Sequence, residues 1–354
     1  MRRQYGWFGL SLGLALSVAA TAPVPAASSD KQVLFTSDFE SGILNDAATR
    51  SPSQGWQRAG TMPVITKEQA RVGAYSAKVY LNKNTSPTPY RAMINTAWDT
   101  TSDTANRTSP HAPHFQDSWV GFSVYLPSTG PGNWSKESKT YEVLVQWHDA
   151  HNPYPPPAWD TEESKNPLFS LQISQTDHAP ARHWNIVYLG ESRTPYPTLG
   201  MPREWKYETN KNIDAGSIDD DLDKWTDWVV RIRWNYWKVG TKDNKAFMPV
   251  ASTENIAGSP TAGLIQVWKN GKLIVDQSPV QIGAHDNAGP TFSAGLYKGW
   301  RTAADRASDP IVDRLIYFDE FRYGGPNATY ASVAPGGTKA PPRPKPPTTI
   351  QAER

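Results

Sequence analysis

No stretch between residue 31 and about residue 325 sustains an apolar period near 3.6, whereas short segments rich in aromatic and β-branched residues recur throughout. Each is bounded by Gly, Pro, Asn or Asp, which supply turns or withhold a ladder donor. Val33–Phe39, Ala74–Leu81, Trp119–Leu126, Glu142–His148, Leu168–Ser174, Trp184–Leu189, Trp228–Tyr236, Leu264–Lys269, Lys272–Asp276, Thr291–Tyr297 and Arg314–Tyr323 read as strands. Asn270-Gly271 between two of them marks a two-residue hairpin, because both central positions of that turn need positive φ. The best helical candidates are short, around Ser41–Ala48 and at Ile218–Lys224. So many short strands in one unit predict an all-β fold, a β-jelly roll in which two antiparallel sheets pack as a sandwich. A curved face left open to solvent would form a concave groove able to hold a polymer.

The two ends have other compositions. Arg2 and Arg3 precede the apolar run Trp7–Ala20, which is too short to span a bilayer, and Ala20-Thr21-Ala22 and Pro25-Ala26-Ala27 follow as cleavage sites. Residues 1–27 are therefore expected to be a signal peptide, the mature protein secreted or periplasmic, and residues 28–327 the folded domain. Residues 328–354 contain the proline-dense run Ala340–Pro347 and are expected to form an extended, solvated tail. The formal charge of +2 falls to zero once residues 1–27 are removed, and no block of like charge remains. That excludes a general nucleic-acid binder, and no membrane contact is expected after signal removal. The chain has no cysteine, hence no disulfide, thiolate nucleophile or cysteine zinc site. Its 15 Trp and 15 Tyr suit either stacking on sugars or filling a β core. A monomer is expected.

Two strands carry candidate chemistry. Strict alternation along Tyr141–His148 sends Val143, Val145 and Trp147 into the core and places Glu142, Leu144, Gln146 and His148 on the other face. Along Thr291–Tyr297, Phe292, Ala294 and Leu296 face inward, and Ser293, Gly295 and Tyr297 outward, with Gly295 leaving room beside the phenol. The amide and imidazole that share one strand face and the phenol on the other strand are acid–base and hydrogen-bonding groups.

Gln146-Trp147-His148 with Ala294-Gly295-Leu296-Tyr297 resembles the signature pair of jelly-roll polysaccharide lyases. In the alginate lyases of that fold the pair is Gln-(Ile/Val)-His and Tyr-Phe-Lys-Ala-Gly-x-Tyr-Asn-Gln. This chain departs from it at positions that include Ser293, Lys298 and Gly299, and Arg91–Asn95 matches the third motif, Arg-(Ser/Thr)-Glu-(Leu/Val)-Arg, only loosely. The layout is more similar to the group of heparin lyase I and the glucuronan lyases. That likeness rests on Asp38-Phe39-Glu40, Arg71–Lys78, the Gln-Trp-His strand, Trp268–Leu273 and Phe318–Gly324, and covers most of the mature domain.

The resemblance implies β-elimination on an anionic, uronic-acid-containing polysaccharide such as glucuronan, alginate or a glycosaminoglycan. Removing the C5 proton pushes a second negative charge toward the uronate carboxylate, which Gln146, Arg91 and protonated His148 are suited to neutralise. Tyr297 is the expected acid. It is also the base in a syn elimination, whereas His148 is the base in an anti one. Substrate-binding roles are expected for Lys298, Arg301, Arg231, Arg233, His285, Trp268 and Trp300, with His151 and His183 as further groove candidates. Asp38 and Glu40 near the first strand and Asp319 and Glu320 on the last supply oxygen ligands for a structural Ca2+, and no organic cofactor is expected. Two other readings use the same scaffold. One is a noncatalytic carbohydrate-binding, lectin-like module. The other is a sandwich-fold glycoside hydrolase, which needs two carboxylates about the bond and has Glu142 and Asp149 to offer.

Overall fold

The computed structural model describes residues 33–44, 55–86, 91–97, 116–148, 167–176, 179–191, 207–234, 263–280, 282–283, 290–300 and 302–337. The expected signal peptide and residues 338–354 lie outside them. Strands are numbered in chain order. An eight-stranded antiparallel sheet contains β1 (Val33–Ser37), β3 (Val64–Thr66), β4 (Ser76–Asn82), β6 (Asp117–Tyr125), β11 (Trp225–Arg233), β12 (Leu264–Lys269), β13 (Lys272–Gln277) and β15 (Asp313–Gly324). Its order is β13-β12-β11-β6-β15-β4-β3. Along the long β15, β4 pairs with the first half and β1 with the second. A seven-stranded sheet contains β2 (Gly55–Gly60), β5 (Arg91–Ala97), β7 (Glu142–His148), β8 (Phe169–Thr176), β9 (Ala179–Glu191), β10 (Tyr207–Ser217) and β14 (Thr291–Lys298), in the order β10-β9-β8-β7-β14-β5-β2. The two-sheet β-jelly roll is the expected fold class.

The core lies between the sheets and is built largely from aromatic rings. Trp184 of β9 meets Trp228 of β11 with centroids 5.1 Å apart, and Phe292 of β14 meets Phe321 of β15 at 5.2 Å, so both contacts join one sheet to the other. Trp147 packs edge-on against Phe292 at 4.7 Å and Phe169 at 5.3 Å. Burying one such side chain contributes about 1.5–3 kcal/mol, and edge-to-face geometry adds to it. Trp134, Trp147, Trp184, Trp228, Trp234 and Trp300 are fully buried, so much of the tryptophan content serves packing.

The Asn270-Gly271 hairpin joins β12 to β13 with φ of 48° and 79°, as the sequence required. Other details differ from expectation. β2, β3, β5 and β10 are additional strands; β10, Tyr207–Ser217, is mostly polar because it lies at a sheet edge. Residues 218–224 form turns rather than a helix, and 41–44 form a turn, with 45–48 outside the described residues. Among the described residues the α-helices are elsewhere: α1 (Ala303–Ser308) and α2 (Tyr330–Val333), each closed by a capping box, from Thr302 and Thr329. α2 lies past the domain boundary expected at residue 327. Tyr330 and Val333 are buried against Trp119, Val229 and Trp268 on the outer face of the eight-stranded sheet, so the fold continues to about Gly337.

Candidate active site

The strands carrying the candidate groups, β7, β14 and β5, are neighbours in the seven-stranded sheet although they come from distant parts of the chain. Tyr297 pairs with Arg91 on one side and Val143 on the other, while Ser293 pairs with Gln146 and Thr291 with His148. Residues directly opposite in an antiparallel pair share a face. Arg91, Tyr297, Gln146 and His148 therefore all stand on the face turned away from the core. Arg91 is exposed, Tyr297 and His148 are half-buried, and Gln146 is nine-tenths buried. The Gln146 Oε1 accepts no hydrogen bond from the described residues. The Tyr297 ring meets the ring of Tyr141 edge-on at 5.9 Å.

Strict alternation fails in β7. Its register against β8 shifts between Val143 and Val145, a β-bulge. Leu144 and Val145 consequently both enter the core, Val143 turns outward beside Tyr297, and Glu142 turns inward. The faces expected for Glu142, Val143 and Leu144 are thus wrong, although those of Gln146 and His148 are right. Glu142 is buried and bound to Lys298 and Arg314, so it is not available as a hydrolytic carboxylate; Asp149 lies outside the described residues. Gly295 also acts differently from expectation. Its φ is +142°, and a Cβ there would lie 2.2 Å from the Ala92 carbonyl oxygen, so the glycine lets β5 approach β14 and carries Arg91 up to Tyr297.

Register also spaces the groups along the sheet. Taking the level of Tyr297 as that of Val143, Gln146 is three residues along β7 and His148 five, roughly 10 and 16 Å at about 3.3 Å per residue. Arg91 is thus directly opposite Tyr297, Gln146 lies farther along the same face, and His148 stands farther still.

Several expected substrate contacts are elsewhere. Arg231, Arg233 and Trp268 belong to the eight-stranded sheet, on its outer face: both arginines bind Asp117, at 2.5 and 2.7 Å, and Trp268 is covered by Tyr330. They cannot share a groove with Tyr297. Lys298 follows Tyr297 and so points inward, where it is fully buried. Trp300 is buried too, its Nε1 donating to Asp309 at 2.7 Å. Arg301, His285 and His151 lie outside the described residues. His183 is on the outer face of the seven-stranded sheet, its Nδ1 2.8 Å from Asp214. Burial alone raises the Asp214 carboxyl, but the Gly216 N–H and His183 outweigh it and hold it below the ordinary value.

Sequence reasoning missed the residues that extend the Tyr297 row. Gln172 of β8 pairs with Val143, and Asn185 of β9 pairs with Gln172, its Nδ2 donating to Asn212 Oδ1 at 3.2 Å. Ser170 pairs with Gln146. The alternation Phe169-Ser170-Leu171-Gln172-Ile173 is the signal that could have found two of them.

A family model described as polysaccharide lyase matches residues 40–322, spanning both sheets and every candidate catalytic residue. The chain belongs to the polysaccharide lyase family. Among solved structures the lyase is similar to an endo-β-1,4-glucuronan lyase from the fungus Trichoderma reesei, with 16% identity over 86% of this chain and 99% of that one and a TM-score of 0.56. At that identity the likeness is one of fold. More distant similarity extends to the alginate lyases vAL-1 from a Chlorella virus (13% identity, 83% and 99% covered, TM-score 0.41) and AlyC3 (11%, 82% and 98%, TM-score 0.40). No curated protein matches the lyase in sequence.

The four acids expected to hold Ca2+ are each engaged as hydrogen-bond acceptors in the lyase. Asp319 accepts from the N–H groups of Arg71, Val72 and Glu320, at 2.7, 3.3 and 2.7 Å. Glu40 accepts from Ala74 and Tyr75, and Glu320 from Arg322 and Gly336. Asp38 Oδ1 accepts from the Glu40 N–H at 3.2 Å. Among the described residues no three His, Asp or Glu side chains form a metal-binding group. Asp319 and Glu40 anchor the residue 71–75 loop between β3 and β4. Nor is any helix among the described residues long and apolar enough to cross a membrane.

Proposed function

We propose that this lyase cleaves a uronate-containing anionic polysaccharide by β-elimination, with Tyr297 as the proton-transferring residue. One observation supports this above the others: an exposed arginine, Arg91, lies directly across the ladder from a half-buried tyrosine, Tyr297, with the amide of Gln146 along the same face. Arg91 and Gln146 bind the uronate carboxylate and withdraw the charge that builds on it. The Tyr297 phenolate takes the C5 proton, the C5 electron pair forms the C4–C5 double bond, and the C4–oxygen bond breaks. The phenol then returns its proton to the departing oxygen, which restores the phenolate. No water is consumed.

The register favours this single-tyrosine, syn course over an anti course based on His148. Arg91 stands directly opposite Tyr297, whereas His148 lies farther along the same face. His148 is better placed for a neighbouring sugar. A glucuronan-type polymer is the first substrate to test, since an endo-β-1,4-glucuronan lyase is among the solved structures that share this fold. Export, by the signal over residues 1–27, would put the lyase where such polymers occur.

The test is a panel of uronate polymers monitored by the ultraviolet absorbance of the unsaturated uronate that only elimination creates. Tyr297→Phe should lower kcat by about 10²–10⁴ with polymer binding retained. A Tyr297→Phe variant within tenfold of wild type would remove the phenol from the mechanism. New reducing ends without absorbance would point to hydrolysis, and binding without cleavage to a module.

A further inference from the structure

Beneath Tyr297 the sandwich encloses a four-charge cluster that the elimination does not use. Lys298 donates to Glu142 Oε1 at 2.7 Å and to Ser138 Oγ at 2.6 Å, and lies 3.2 Å from Asp309 Oδ2. Arg314 of β15 donates to the same Glu142 Oε1 at 2.6 Å and to the carbonyls of Asn133 and Lys136 at 2.6 and 2.8 Å. Asp309 also accepts from Trp300 Nε1, Ser138 Oγ and Thr140 Oγ1 at 2.7, 2.9 and 3.0 Å. No side chain of the four is more than 2% exposed. Two cations and two anions balance, and the remaining lone pairs and protons are used by neighbouring groups. That is the condition under which buried charge is tolerated. Burial pulls the Lys298 ammonium below its ordinary value, against the attraction of Glu142 and Asp309. It alone would raise the Asp309 carboxyl, but Lys298, the Ile311 N–H and Trp300 hold that group well below the usual range.

The cluster is placed where the phenol is aimed. Lys298 follows Tyr297 on β14, Glu142 precedes Val143 on β7, and Lys298 and Glu142 are themselves a ladder pair. Tyr141 and Tyr297 touch on the outer side of the same two strand ends. An ion pair inside and a ring pair outside thus grip one short piece of ladder, at the point where both strands carry a bulge. Bulges loosen local pairing, so something else must hold the register.

We infer that Lys298 and Glu142 are positioning residues, whose buried ion pair sets the strand register that aims the Tyr297 phenol between Arg91 and Gln146. The inference rests on the role proposed for Tyr297. Lys298→Met alone strands a buried carboxylate, so the test is the charge-balanced pair Lys298→Met with Glu142→Gln, assayed well below its melting temperature. Positioning predicts a kcat about 10–100-fold lower with KM within threefold, since displacement of a reacting group by about 1 Å costs that much. The core variant Trp228→Phe, assayed at an equal margin below its own melting temperature, should keep its kcat. A folded double variant with wild-type kcat overturns the inference, as does an equal loss of kcat in Trp228→Phe. If the double variant does not fold, Ser138→Ala, which removes one bond from Lys298 Nζ, should lower kcat two- to fivefold, and an unchanged kcat there overturns it. Tyr297→Phe in parallel separates the two ideas. If it is active, the proposed chemistry fails; if it is inactive while the double variant is fully active, only the positioning role fails.

Discussion

Replacing Gly295 with alanine tests whether the approach of β5 to β14 builds the site. Two penalties apply. At φ of +142° an L side chain is strained, at a cost of about 1–3 kcal/mol. The new Cβ would also meet the Ala92 carbonyl oxygen at 2.2 Å and Met93 Cα at 2.6 Å, both backbone atoms that cannot rotate away. Overpacking of this kind costs roughly another 1–3 kcal/mol. A total of about 2–6 kcal/mol is a large share of the stability of a typical domain, and at about 2–4 °C per kcal/mol it lowers Tm by roughly 5–20 °C. Gly130→Ala separates the two penalties, because Gly130 has φ of +79° with nothing within 4 Å of a Cβ. It should show the backbone strain alone. The measurement is thermal unfolding followed by near-ultraviolet circular dichroism, with activity recorded at low temperature. Gly295→Ala should also lose activity while folded, since the clash pushes Arg91 away from Tyr297. A Tm within 2 °C of wild type, or one equal to that of Gly130→Ala, would refute the close-approach reasoning.

Two further outcomes follow from side chains away from the groove. Arg231→Ala with Arg233→Ala should leave kcat and KM within about twofold of wild type, because both residues bind Asp117 on the far sheet; a large rise in KM would show that the polymer also uses that face. Burial pushes the Asp319 carboxyl up to about 6, against the opposing N–H groups of Arg71, Glu320 and Val72. A folded value above the unfolded one of about 3.9 means the native state binds the extra proton. The stabilisation is therefore full below about pH 4 and lost as pH rises through 6, and amounts to about 2–3 kcal/mol. Relative to Asp319→Asn, wild-type Tm should fall across pH 4–7, and parallel curves would contradict this.

The ladder of apolar and turn residues was sufficient for the fold class, because strand period and hairpin chemistry are local. Asn270-Gly271 needs no tertiary partner to adopt its left-handed φ values. The faces of Gln146, His148 and Tyr297 were legible for the same reason. The bulge at Val143–Val145 was not, since an extra residue in a ladder is visible only against the strand that pairs with it. That single shift turned Glu142 inward. The helix at Tyr330–Val333 was hidden because its four residues are stabilised by burial on Trp119 and Trp268, not by their own propensity. Charge carries no address: Lys298, Arg231 and Arg233 look alike in one dimension, and only the packed sheets decide which cation is sealed in the core and which lies on the far surface. Sequence by itself determined that this chain must form two antiparallel sheets and offer a phenol, an amide and an imidazole on their outer surfaces. The packing of strands from opposite ends of the chain decided that Arg91, Tyr297 and Gln146 stand together, because a pairing partner in a sheet is chosen by the whole fold and not by the neighbours in the chain.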